Sequence, residues 1–162
     1  MTNISRIVIG SSIELHRKIG PGFPEDVYLN ALCVELDAQN VKYAMNHAFD
    51  VNYKGRKVGE RRVSLFVDNR FIVEVRAVPR PVGALERAQT RAALRCADLE
   101  LGLIINFAEL RVKDGLVRVL NPDKLNAMRE QRGGGRADPD HAHDDWHDQP
   151  ADLHEEKSPP TP

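Results

Sequence analysis

Two periodicities divide the chain. Apolar residues recur at helical spacing near the N-terminus, and they alternate with polar residues farther along. The 3.6-residue period predicts one helix over 4–19 and a second that opens at Pro24 and runs to about residue 40, separated by Gly20-Pro21-Gly22. The residues expected to face the core are Ile4, Ile7, Val8, Leu15 and Ile19 in the first helix, and Val27, Tyr28, Ala31, Val34 and Ala38 in the second.

Alternation with a period of two predicts strands through the middle of the chain. The strands are expected at about 41–45, 48–53, 56–58, 63–67 and 71–78, followed by a helix over 84–96, a strand over 101–106, a turn at Lys113-Asp114-Gly115 and a strand over 116–120. This order predicts an α/β fold with a mixed sheet flanked by helices.

One carboxylate interrupts the second strand of the hairpin at 62–76, and apolar packing does not explain its charge. Neighbouring side chains point to opposite faces of a strand, so Glu74 shares a face with Ile72 and Arg76. The other face carries Phe71, Val73 and Val75. From these residues alone, an ion pair at the sheet rim and an active-site carboxylate are both open alternatives.

The length of the hairpin loop decides which residues face Glu74. A three-residue loop, Asp68-Asn69-Arg70, places Ser64 opposite Glu74 and Arg62 opposite Arg76, all on one face, whereas a two-residue loop places Ser64 on the far side. The polar residues therefore converge only if the loop is odd.

Several short segments occur in a characteristic order. His16-Arg17-Lys18-Ile19-Gly20-Pro21-Gly22 runs into Gly22-x-x-Glu25-x-x-Tyr28, and Gln89 and the strand Gly-Leu-Ile-Ile-Asn-Phe at 102–107 follow. Over about residues 4–121 the chain resembles the GxxExxY family, small bacterial proteins assigned to the PD-(D/E)XK nuclease superfamily. The resemblance implies a nuclease-like α/β core in which Gly22, Glu25 and Tyr28 are the family motif.

The resemblance also implies a set of site residues. Ser64, Glu74, Arg76 and Gln89 stand at catalytic positions, where the superfamily pattern has aspartate, glutamate, lysine and glutamine. Glu25, Glu74 and the backbone carbonyl of Val75 are the implied ligands of Mg²⁺. A tyrosine often follows the glutamine by four residues, but this chain has Ala93 there.

Two departures from the pattern predict weak or absent Mg²⁺ binding. Ser64 offers a neutral hydroxyl in place of a carboxylate, and Arg76 stays protonated, so it cannot act as a base. Structural roles are the alternative for the motif residues. Glu25 then favours the first turn of a helix, Tyr28 packs with Leu32, and Gln89 is a solvated helix residue.

Charge and composition limit the function only weakly. The 162 residues carry 41% hydrophobic and 29% charged residues with a net charge of −1. Basic residues cluster between 54 and 95, which fits either phosphate contacts or a solvated surface with salt partners. They are Lys54, Arg56, Lys57, Arg61, Arg62, Arg70, Arg76, Arg80, Arg87, Arg91 and Arg95.

The chain divides into a domain at 1–122 and a segment at 123–162, predicted as a short helix and then a disordered tail. In the tail, His141, His143, His147 and His154 are interleaved with Asp residues, which suggests either loose zinc or nickel binding or a solvated segment; Trp146 is a candidate partner anchor. Cys33 and Cys96 are expected to be reduced and buried. No secretory leader or membrane span is seen, so a cytoplasmic location and no membrane partner are expected.

These observations predict a catalytically degenerate nuclease fold that binds nucleic acid, DNA rather than RNA, or a protein partner. One alternative is an active Mg²⁺-dependent DNA or RNA endonuclease that uses Glu25 and Glu74. Another is a structural or regulatory role that involves no nucleic acid. The sequence leaves the oligomeric state and the substrate open.

Overall fold

A computed structural model describes residues 3–133, in which five strands form one mixed sheet with helices on both faces. The predicted α/β fold is therefore confirmed. The elements are α1 Asn3–Ile19, α2 Glu25–Ala38, β1 Tyr43–Tyr53, β2 Arg56–Val67, β3 Phe71–Arg76, α3 Ala84–Ala97, β4 Leu101–Asn106, α4 Val112–Gly115, β5 Leu116–Leu120 and α5 Pro122–Gln131.

The sheet follows the order of the chain, β1-β2-β3-β4-β5, with one parallel pair at β3–β4. Strands β1, β2 and β3 form an antiparallel meander, and β4 and β5 are antiparallel. Parallel neighbours need a long crossover connection, which α3 supplies. As a result β3 lies at the centre of the sheet, and Phe71 through Val75 are all buried.

Each sheet face has its own hydrophobic cluster. The first cluster packs α1 and α2 on one face, with Val8, Leu15, Tyr28, Leu32 and Leu36 against Leu65, Val73 and Ile105. The second packs α3 on the other face, with Ala93 and Leu94 against Val63, Ile72, Ile104 and Val119. Glu74 belongs by alternation to the α3 face, as Ile72 does.

The predicted core faces of the two N-terminal helices were partly wrong. Val8, Leu15 and Tyr28 are buried, but Ile19 is 37% and Val34 is 67% exposed, and Ala38 is exposed. Instead α2 buries Leu32, Cys33 and Leu36 along with Tyr28, and α1 buries Ser5, Ser11, Ser12 and His16. Apolar residues occur on several sides of α2, so spacing alone does not determine which side faces the sheet.

The strand boundaries also differ from the expectation. Strands β1 and β2 are each continuous, where breaks were predicted near residues 46 and 60. The β1–β2 register pairs Met45 with Leu65 and His47 with Val63, and it skips Asn46, whose φ is 47°. The predicted break in β1 is thus a local irregularity in a longer strand. Strand β3 ends at Arg76, two residues early, and α4 replaces the predicted turn.

The remaining sequence-based expectations concern thiols and the tail. Cys33 is free and buried as predicted, whereas Cys96 is free and half-buried. Within residues 3–133, no helix is long and apolar enough to cross a membrane. The histidine-rich segment with His141, His143, His147 and His154, and Trp146 with it, lies outside the described residues.

Candidate functional site

A three-residue loop joins β2 to β3, as predicted. The register pairs Leu65 with Val73 and Val67 with Phe71, which leaves Asp68, Asn69 and Arg70 in the loop. Asp68 and Asn69 both have left-handed backbone, with φ of 49° and 52°. These are residue types that adopt this region more readily than most. The odd loop places Ser64 beside Glu74, which confirms that part of the predicted convergence.

Both carboxylate oxygens of Glu74 are hydrogen-bonded by protein groups. The side chain is buried, with 2% of the residue exposed. Oε2 accepts from the Ser64 hydroxyl at 3.1 Å and from the Ser64 amide at 3.3 Å, and Oε1 accepts from Arg61 Nη2 at 2.8 Å. The Ser64 hydroxyl in turn accepts from the Val75 amide at 3.1 Å. Ser64 therefore satisfies a buried backbone donor as well as the carboxylate.

Arg61, and not Arg62, approaches Glu74, so the predicted position of Arg62, opposite Arg76 on this face, was wrong. Arg62 is exposed and contacts Glu60 at 3.4 Å and the Asn46 carbonyl at 3.1 Å. Alternation in β2 breaks between Val63 and Ser64, because Val63 and Phe66 both pack in the second cluster although strict alternation separates them. Across this break the odd-numbered Arg61 and Val63 lie on the face of Glu74.

The Arg76 side chain contacts all three groups that were predicted to bind a metal. Its Nη1 lies 3.0 Å from the Val75 carbonyl oxygen, 3.4 Å from Glu25 Oε1 and 3.5 Å from Glu74 Oε2. The Arg76 side chain is 20% exposed, whereas that of Glu25 is 48% exposed. A guanidinium nitrogen thus contacts all three oxygens named as Mg²⁺ ligands.

The site does not fit a magnesium ion as it stands. Mg²⁺ requires near-octahedral oxygen ligands at about 2.0–2.1 Å and strongly prefers anionic ones. Here each of the two carboxylates is paired with an arginine, and the Arg76 nitrogen contacts the oxygens that the ion would need. Among the described residues, no group of three or more His, Cys, Asp or Glu side chains is placed to hold a metal.

Gln89 reaches the site through its backbone. Its carbonyl oxygen accepts from Arg61 Nε at 3.4 Å, whereas its side chain is exposed. Helix α3 turns Glu86, Thr90, Ala93 and Leu94 toward the sheet, which directs Gln89 outward. At the position where the superfamily pattern often has tyrosine, Ala93 is fully buried against the second cluster.

The Gly22-x-x-Glu25-x-x-Tyr28 segment is built around the tyrosine. Its hydroxyl donates to the Gly20 carbonyl at 2.6 Å and accepts from the Phe23 amide at 3.2 Å, and its ring stacks on Phe107 with centroids 4.7 Å apart. Gly22 has φ of 107°, a conformation that favours glycine. These contacts fix the loop that leads into α2, whose first residue is Glu25.

Three residues near the site were not singled out from the sequence. Besides Arg61, buried Asn106 binds the chain that follows β3, because its side chain bonds Val78 N, Val78 O, Arg80 O and Ala108 N over 2.9–3.2 Å. His16 Nε2 lies 3.1 Å from the Phe107 carbonyl oxygen. A polar residue at the end of an apolar strand was the only signal available for Asn106.

The sheet, the long α3 crossover and a buried carboxylate near the end of the central strand together define a nuclease-like α/β domain. A sequence model of the PD-(D/E)XK nuclease superfamily matches residues 2–119, and the chain belongs to that superfamily. No curated protein and no solved structure matches it. Nucleases of this superfamily typically use Mg²⁺.

Proposed function

We propose that this protein is a catalytically degenerate member of the superfamily, of the GxxExxY type by its Gly22, Glu25 and Tyr28, and that it binds nucleic acid without hydrolysing it. The observation that carries the proposal is the position of Arg76 Nη1, which contacts Glu25, Glu74 and the Val75 carbonyl at 3.0–3.5 Å. A fixed monovalent cation stands where hydrolysis requires an exchangeable divalent one.

Charge balance supports this proposal. A metal site gains affinity from anionic ligands that lack other counterions, but Glu74 is paired with Arg61 and Arg76, and Glu25 is paired with Arg76. A divalent ion would have to displace Arg76 and remain close to its positive charge. Ser64 contributes no charge to offset that repulsion.

This set of residues also lacks a group suited to accept a proton from the attacking water. A lysine with a lowered pKa can accept a proton from an attacking water, whereas a guanidinium stays protonated at every physiological pH. The buried carboxylate of the site, that of Glu74, accepts hydrogen bonds on both oxygens, from Ser64 and Arg61. The arrangement suits charge pairing better than water activation.

Excess positive charge favours nucleic acid as the partner. The stretch from residue 54 to residue 95 carries eleven Lys and Arg against four Asp and Glu. Each of the four acidic residues, Glu60, Asp68, Glu74 and Glu86, is already ion-paired with a basic residue of the same stretch. The stretch thus carries a net charge of +7, which favours binding to phosphates, whose contacts make affinity fall steeply with rising salt.

The test combines cleavage with metal binding. The full chain is incubated with single-stranded DNA, duplex DNA and RNA in Mg²⁺ or Mn²⁺, and Mg²⁺ is titrated calorimetrically. We expect binding at low salt, no turnover and no Mg²⁺ heat. The double variant Ser64→Asp/Arg76→Lys restores an aspartate and a lysine, and we expect it to gain metal binding and cleavage.

A matched triple variant that adds Glu74→Gln should lose the gained activity. Turnover by the wild-type protein that Glu74→Ala abolishes would overturn the proposal in favour of an active Mg²⁺-dependent endonuclease. Failure to bind any of the three polymers at low salt would overturn the nucleic-acid part and favour a protein partner.

A further inference from the structure

The outer halves of β1 and β2 form a two-stranded ribbon, residues 50–60, that extends past the rest of the sheet. Strand β3 pairs only with Leu65 to Val67 of β2, so the ribbon has no third strand beside it. Every ribbon residue except half-buried Val51 is exposed. At about 3.3 Å per residue, the four residues from Asp50 to Tyr53 project roughly 10–13 Å.

On one face of the ribbon, the acidic charges are paired with a basic residue of the ribbon itself. Residues paired across antiparallel strands lie on the same face. The register pairs Asp50 with Glu60 and, past a shift between Val51 and Asn52, pairs Asn52 with Lys57. Lys57 Nζ lies 3.0 Å from Asp50 Oδ1 and 3.0 Å from Glu60 Oε1. The two acidic residues of the ribbon are thus both held by Lys57.

The opposite face carries cations and an aromatic ring but no acidic residue, and we call it the open face. Its cross-strand pairs are Tyr53 with Arg56 and Val51 with Gly59. Tyr53 is 63% exposed, and Lys54 Nζ lies 5.5 Å from the centroid of its ring. Arg56 is exposed and forms no ion pair with any residue in 3–133.

The candidate site anchors the base of this ribbon. The next pair inward on the open face is Phe49 with Arg61. Arg61 binds Glu74 at 2.8 Å and the Gln89 carbonyl at 3.4 Å, and the Phe49 ring meets Phe66 edge-on with centroids 5.1 Å apart. These contacts tie the ribbon to the central strand and to α3, so they set the direction of the open face.

We propose that the open face binds single-stranded nucleic acid, with a base stacked on Tyr53 and neighbouring phosphates contacting Lys54 and Arg56. The inference rests on the proposed function and identifies its contact surface. A tyrosine ring flanked by cations suits a strand whose bases are free to stack, whereas a duplex offers its backbone but not its base faces. Glu74 then acts as a positioning residue, because it orients the ribbon through Arg61.

The test measures fluorescence anisotropy of a labelled single-stranded DNA oligonucleotide and of the matched duplex, using the full chain. Because Tyr53→Ala removes the ring on which one base stacks, it should weaken single-strand binding about 5- to 150-fold. Tyr53→Phe should restore the affinity, and duplex binding should change little. Lys54→Ala and Arg56→Ala should each lower the slope of log affinity against log salt by about 0.7. Circular dichroism checks that each variant is folded.

Arg17→Ala is the charge-matched control, because Arg17 is exposed on α1, which packs on the opposite face of the sheet. Its removal should leave the affinity within a factor of about two, since one charge far from the bound phosphates is largely screened by salt. Equal single-strand affinity for wild type, Tyr53→Ala and Arg56→Ala would show that the open face is not the binding surface, while the proposed function would stand. No binding of either oligonucleotide by wild type would count against the proposed function itself.

Discussion

Arg61 Nη2 and Glu74 Oε1 lie 2.8 Å apart, and this ion pair joins the base of an exposed ribbon to the central strand of the sheet. The second oxygen of the same carboxylate is bonded by Ser64 and approached by Arg76. A carboxylate that serves a metal must leave its oxygens open to the ion. In the structure, both oxygens of Glu74 accept hydrogen bonds from protein groups.

Removal of the Glu74 carboxylate should therefore destabilise the fold. Glu74→Ala leaves Arg61 and Arg76 without their shared counterion and deprives Ser64 of its acceptor, and we expect a loss of about 2–4 kcal/mol in unfolding free energy. Glu74→Gln, which keeps an acceptor oxygen, should lose less. Urea unfolding measures both. Glu130→Ala, at an exposed position of α5, is the control and should change the unfolding free energy by no more than about 0.5 kcal/mol. Stabilisation by Glu74→Ala would show instead that the buried carboxylate costs stability and is kept for function.

Magnesium should stabilise the double variant Ser64→Asp/Arg76→Lys but not the wild-type protein. Without metal, the added aspartate lies beside Glu74 and repels it, so the melting temperature should fall. A ligand that binds only the folded state stabilises by about 2.7 kcal/mol at a hundred times its Kd, so added Mg²⁺ should raise the melting temperature again. The measurement is differential scanning fluorimetry with Mg²⁺, and Na⁺ at equal ionic strength is the control. Equal responses of both proteins would contradict the prediction.

Tyr28→Phe should loosen the loop before α2 while leaving the ring in place. The hydroxyl makes two bonds, to the Gly20 carbonyl and from the Phe23 amide, and their loss should cost about 1–2 kcal/mol. Stacking on Phe107 survives in phenylalanine but not in Tyr28→Ala, for which we expect about 3–5 kcal/mol. Hydrogen exchange at the Phe23 amide should accelerate in Tyr28→Phe. Unchanged exchange there would show that the hydroxyl does not hold the loop.

The sequence predicted the part of the site that depends on strand geometry alone. Alternation and an odd loop suffice to bring Ser64 beside Glu74, because both rules act within one hairpin. The contact of Arg61 with Glu74 was not predicted, because alternation in β2 breaks next to Asn46 of the neighbouring strand. Nothing in the sequence of β2 signals an irregularity that lies in β1.

The rotation of the helices and the pairing of Arg76 were harder to predict for related reasons. Helix α2 has apolar residues on several sides, so contact with the sheet determines which side is buried. That side carries Leu32 and Leu36, whereas Val34 is exposed. The sequence placed Glu25 and Arg76 at one site through a family resemblance. Their contact requires α2 to begin beside the end of β3, a distance in space that no local pattern encodes.

Two glycines are expected to be required for close packing and a third is not. A Cβ at Gly115 would lie 2.2 Å from the Asn106 carbonyl oxygen, and one at Gly102 would lie 2.7 Å from Thr90 Cγ2. Backbone yields less easily than a methyl group, so Gly115→Ala should destabilise more than Gly102→Ala, each by at least about 1–3 kcal/mol. Gly10 on α1 has open space, and Gly10→Ala should stabilise by about 0.5–1 kcal/mol. Urea unfolding of the three variants gives the order, and equal losses at Gly115 and Gly10 would contradict it.

The ion pair of Glu86 and Arg80 should make stability depend on pH in the acid range. A hydrogen bond from Arg80, together with backbone bonds from Glu86 itself and Gly83, lowers the pKa of the Glu86 carboxyl from 4.5 to about 2. A carboxyl whose pKa is lower in the folded protein adds stability above its unfolded pKa, and this contribution is lost as pH falls toward the folded value. Wild type should therefore be more stable than Glu86→Gln at pH 6, and the difference should shrink between about pH 4.5 and pH 2. Unfolding free energies of the two proteins across that range test this, with Glu130→Gln at an exposed position of α5 as the control. A difference that stays constant with pH would mean that Glu86 contributes through packing and not through its charge.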